Sequence, residues 1–121
     1  MPIHHAHAHL QVAPTATTTT GTLHLEGLLD SIVVKFHDPN AVGTIRVVCP
    51  FTGLTVAEVA RTAFTSPLST VIRPRLPDTA PDGAPLGTHS HLPVSGLNVY
   101  AFNVSTPDTA AFATVSAAAV E

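Results

Sequence analysis

The sequence predicts an all-β protein: a single antiparallel β-sandwich, jelly-roll-like, of about seven short strands behind an extended N-terminal arm. Two observations carry this. Apolar and polar residues alternate in one segment after another, the period of a half-buried strand. Between those segments lie clusters of Pro, Gly, Asp and Asn, each with the chemistry of a turn. The 121 residues allow one domain, large enough to bury roughly two-thirds of its unfolded surface.

Residues 1–20 read as the arm, and residues 21–121 as the sandwich. Met1–His9 is a His/Ala tract, and Ala13–Thr20 is Pro/Thr/Ala with four consecutive threonines. Neither half has a period that buries a face, although Leu10 and Val12 fit a short edge strand. Leu23, Leu25 and Leu28 then read as one inward face, with Gly27 marking a bulge. Ile32, Val34 and Phe36 form the next, with Lys35 and His37 opposite. Asp38-Pro39-Asn40 turns the chain. Thr44–Cys49 alternates Ile45, Val47 and Cys49 inward, and Pro50-Phe51-Thr52-Gly53 closes that hairpin. Leu54–Phe64 fits both helical and strand spacing; its Thr and Val content and the preceding turn favour a strand. Ser69–Arg75 is a strand that Pro74 and Pro77 push to an edge. Residues 76–87, with three prolines and two glycines, read as a long loop. Leu97–Val104 alternates again, Ser105–Asp108 turns, and Ala111–Val120 is the last strand.

Five Lys and Arg against eight Asp and Glu give a net charge of −3, which excludes a nucleic-acid binder that works through bulk charge. Charged residues make up 11% of the chain, about half the usual share, so much of the surface is neutral and suited to touching other protein. One Tyr and no Trp leave little for stacking on bases or sugars. A single cysteine excludes an internal disulfide framework and a Cys-rich zinc site. No apolar run reaches the roughly eighteen residues of a membrane helix, and the N-terminus lacks the basic and apolar regions of a secretory signal.

Eight histidines are the compositional oddity. His5, His7 and His9 alternate, so an extended chain sets them on one side about 6.5–7 Å apart. With His4 they are candidate ligands for Zn²⁺, Ni²⁺ or Cu²⁺. A terminal arm, however, offers no outer partners to orient the imidazoles, and contact with a neighbouring subunit is the favoured role. His89 and His91 form an H-x-H pair of the kind found in cupin-type metal sites. No carboxylate follows within the next few residues and no later histidine completes the set, so these too read as loop histidines, able to respond to pH at an interface. Cys49 reads as a buried, inert thiol. Asp38, Asp78, Asp82 and Asp108 fit turns. Arg73 and Arg75 share a strand face and suit an acidic patch on a partner. No catalytic residue, metal or cofactor is assigned. His4, His5, His7, His9, Arg73 and Arg75 are the partner-binding candidates.

One resemblance runs through these elements in order: Leu25-Glu26-Gly27-Leu28, Ile32–Phe36, the hairpin through Gly43–Val47, Pro50-Phe51-Thr52-Gly53, Val71–Arg75 before a Gly/Pro loop, and Leu92–Val99. Over residues 21–120 the chain resembles the small all-β virion structural proteins of tailed bacteriophages, the group that includes head decoration proteins. The resemblance implies a non-enzymatic virion component, made in the host cytoplasm and carried on the capsid surface. It would be a homo-oligomer bound to the major capsid protein or another lattice protein, without nucleic acid or membrane. The His-rich arm and the His-bearing loop depart from that pattern. Two other classes remain open: a ligand- or carbohydrate-binding β-sandwich module, and a cupin-like metal enzyme in which His24, His37, His89 or His91 converge.

Overall fold

The computed structural model describes residues 3–13, 16–62, 67–105 and 112–121. Nine strands follow one another among them: β1 (Ile3–Leu10), β2 (Thr19–Phe36), β3 (Val42–Val48), β4 (Thr55–Arg61), β5 (Ser69–Ile72), β6 (Leu76–Thr79), β7 (Pro85–Ser90), β8 (Leu92–Ser105) and β9 (Ala113–Val120). Every pairing is antiparallel. The strand order is β1-β9-β2-β8-β3-β4 with β5 on β2, while β6 and β7 form a separate hairpin.

The 18-residue β2 makes this one hydrogen-bonded sheet into two packed layers. Its first half, from Thr19 to Leu29, pairs with β8. Its second half, from Leu28 to Phe36, pairs with β9, and Ile32–Lys35 also pairs with β5 on the opposite edge. Leu23, Leu25 and Leu29 face inward at odd positions, whereas Ile32, Val34 and Phe36 do so at even ones. An extra residue makes that change of phase: Leu29 opposes Ala119 and Ser31 opposes Ala118, leaving Asp30 bulged between them. Without it, a one-residue slip would turn Ile32, Val34 and Phe36 to solvent.

The inward position expected at Leu28 therefore falls on Leu29. Leu28 is 43% exposed and Leu29 fully buried, because the phase shifts at Asp30 and not at Gly27. Gly27 has a different task. It adopts φ +125°, and a Cβ there would stand 2.6 Å from the Val120 carbonyl oxygen.

Between the layers lie Leu23, Ile32, Ile45, Leu97 and Val99, all without exposed surface. Phe36 and Phe112 meet edge to face with ring centres 5.4 Å apart, a favoured aromatic geometry. Small residues allow close approach where β1 crosses β2: a Cβ on Gly21 would lie 3.4 Å from that of Ala8. Arg61 is the one buried charged residue among those described, and its Nη1 donates to the Ala41 carbonyl.

Nine strands replace the expected seven for identifiable reasons. The two strands expected before Asp38 are one bent strand, β2. The long loop at 76–87 is a hairpin, β6–β7, whose second strand is wholly exposed. Residues 55–61 are strand, as favoured; Ala63 and Phe64, like most of the turn after Ser105, lie outside the described residues. The arm differs most. Ile3–Leu10 is the edge strand of this chain's own sheet, in unbroken register with β9, and it buries Ala6, Ala8 and Leu10, with Val12 just beyond.

Candidate interaction surface

β1 sends Ala6, Ala8 and Leu10 into the core, so strand alternation turns His5, His7 and His9 outward. His7 Nδ1 lies 2.7 Å from the Ser116 hydroxyl on β9, and His9 Nδ1 lies 3.1 Å from the Thr114 hydroxyl. His37, just past β2, brings its Nε2 to 2.6 Å from that same Thr114 oxygen. A hydroxyl has one proton to donate and two lone pairs to accept with, so at most one of the two imidazoles accepts from it and at least one donates. Serine and threonine at alternate positions of β9 thus fix the histidine column. Sequence reading found the column but not Ser116, Thr114 or His37 as its companions; their period-2 placement on the outer face is the signal that would have found them.

Within one chain His7 and His9 are each engaged by a different β9 hydroxyl, Ser116 and Thr114. Among the described residues no group of three or more His, Cys, Asp or Glu side chains is placed to hold a metal. His4 turns elsewhere, its Nε2 3.1 Å from Glu121 Oε2. That pair borders an open groove of about 880 Å³, whose walls include His5, His24, Glu26 and Gly96.

The arginine pair is divided. Arg73 is exposed, but Arg75 is partly buried and serves the fold. Its Nη1 donates to the Asp30 carbonyl at 2.9 Å, and its Nη2 lies 3.3 Å from Asp30 Oδ1. Arg75 thereby clamps the bulge that sets the phase of β2. The two guanidiniums lie beyond the end of β5, not on one strand face as expected. His91 joins Asp30 at 3.6 Å, while His89 is exposed on β7.

Two further groups are tuned by their neighbours. Hydrogen bonds from the Ser90 and Thr88 hydroxyls, 2.6 and 2.7 Å away, hold the Asp78 carboxyl below the usual carboxylate range. Burial pushes the Cys49 thiol up, but the Thr52 hydroxyl and the amides of Thr52 and Phe51 outweigh it and bring the thiol below its ordinary value. In the same turn, Phe51 stands 92% exposed at the tip of the β3–β4 hairpin. Composition alone did not single it out.

No family model matches the chain, and no curated protein matches it. Among solved structures, a chain from the structure of infectious bursal disease virus Gt strain aligns with a TM-score of 0.36 and 13% identity, over 98% of this chain. This chain spans 33% of that one.

Proposed function

We propose that this protein is a non-enzymatic virion structural component that binds in repeated copies to a capsid lattice, in the manner of the phage decoration proteins its sequence resembles. The observation that carries the reading is a set of apolar protrusions on a surface poor in charge. Phe51 is 92% exposed and Leu86 on the β6–β7 hairpin 60% exposed. Phe51 is held on a rigid turn: the Gly53 amide donates to the Cys49 carbonyl at 2.8 Å, and the Cys49 amide to that of Leu54 at 2.9 Å. An aromatic anchor presented on a fixed hairpin loses little conformational entropy on docking, the economy that binding hot spots exploit. The partner is then the major capsid protein or another lattice protein, and the site of action the capsid surface after synthesis in the host cytoplasm.

Copy number tests this. Particles purified from the protein's source should contain the chain in fixed proportion to the shell subunit, and Phe51→Ala should lower its occupancy about tenfold or more, as loss of a hot-spot aromatic does. Particles that lack the chain would refute the reading.

A further inference from the structure

We infer that β1 is a self-association edge: two copies pair their Ile3–Leu10 strands antiparallel about a two-fold axis, and the outward histidines make that pairing sensitive to protonation.

Among the described residues β1 is the terminal strand of its sheet, and its strand partner is β9. Its other backbone edge has no strand partner among the described residues. Natural sheets guard such edges with lysines, prolines, bulges or shortness, and the other edges here follow that practice. β4 carries Glu58, ion-paired to Arg46 at 2.6 Å, and meets β3 through a register shift. β5 is four residues long and runs into Pro74. β1 has eight residues in unbroken register, with no lysine, proline or bulge. Histidine is its only ionisable residue type, so the edge carries no permanent charge.

The strand is also self-complementary. An antiparallel pair about a two-fold axis keeps both cores on one side only if inward residues oppose inward ones. Of the registers that do so, the two with the longest overlap set Ala6 against the second copy's Ala6 or its Ala8. In either, His5 on the outer face opposes a histidine of the second copy, its His7 or its His9. Directly opposed side chains stand about 4.5–5.5 Å apart at Cβ, where like charges repel.

The groups around the column do not neutralise it. Thr114 and Ser116 face it from β9, and His37 and Lys35 stand beside Thr114 from the β2 side. The carboxylates nearby, Glu121 on His4 and Glu26 in the groove beyond His5, lie at the Ile3 end only. Protonation therefore builds positive charge along the joint, and the pair separates as the pH falls from about 8 to about 5.5.

The edge pairing stands independently of the lattice reading. Analytical ultracentrifugation of the full chain in EDTA, at micromolar concentrations, tests it. The wild type should be dimeric at about pH 8, with affinity at least about tenfold weaker at about pH 5.5. His7→Lys, charged at both pH values, should be monomeric at both. The combined His5→Gln, His7→Gln and His9→Gln variant should remain dimeric at both. These positions are exposed, and circular dichroism verifies that each variant is folded. A monomeric wild type at pH 8 overturns the proposal, as does a His7→Lys dimer or a triple-Gln dimer that still dissociates in acid. A chain found in particles but monomeric at pH 8 would sink the edge pairing alone.

Discussion

Gly27 and Gly53 both adopt positive φ, yet alanine at the two positions should have unequal effects. At Gly53, φ is +74° with nothing within 4 Å of a new Cβ, so Gly53→Ala should cost about 1 kcal/mol, the price of the left-handed region. At Gly27, φ is +125° and the obstacle is the Val120 carbonyl, a backbone atom that cannot rotate away. Gly27→Ala should destabilise by about 2–4 kcal/mol in urea unfolding; equal effects at the two sites would disprove the argument. Arg61→Ala should be costlier than either, about 3–5 kcal/mol, since it strips a donor from the buried Ala41 carbonyl and leaves a void beneath β4. The spacing that reads Glu58 and Arg61 as a weak outer-face pair is overturned here: Glu58 pairs with Arg46, and Arg61 is buried.

Among the elements, the β6–β7 hairpin stands apart from the main sheet, and its cross-strand tie is Asp78 with Thr88 and Ser90. The folded carboxyl lies below its ordinary value, which is about 3.9 in an unfolded chain. Its contribution is therefore complete above that value and lost as the pH falls through the lower folded one. Amide exchange at Thr88 and Ser90 should accelerate in that acid window while the core stays protected. Asp78→Asn should remove the transition. The hairpin went unread because Pro77, Pro81 and Pro85 carry a loop's composition, while the pairing depends on hydroxyl-to-carboxylate bonds that no hydrophobic period reveals. Where a buried face existed, as at Ile45, Val47 and Cys49, alternation was enough to place the strand. The phase change at Asp30 needed Arg75, 45 residues away in sequence, and local pattern cannot supply such a partner. The histidine column was legible as a column, but its seat on Ser116 and Thr114 was not, since β1 and β9 lie at opposite ends of the chain.

At the scale of the whole molecule, β1 is part of the fold and not an appendage. Removing residues 1–10 exposes the partners of Ala6, Ala8 and Leu10, loses the bond from the Phe112 amide to the Leu10 carbonyl, and bares the edge of β9. The truncated chain should lose about 3–5 kcal/mol and aggregate more readily, as read from thermal unfolding and light scattering. Truncation therefore disturbs folding and binding together, and point changes on the outer face of β1 separate them. β2 carries a mechanical consequence. Because one continuous backbone, about 60 Å in contour, belongs to both layers, neither can slide over the other without straining covalent bonds or unzipping β8 or β9. A load applied to one face is thus delivered through main chain to the other, and the sandwich resists shear as a folded ribbon does, not as a stack of two loose plates.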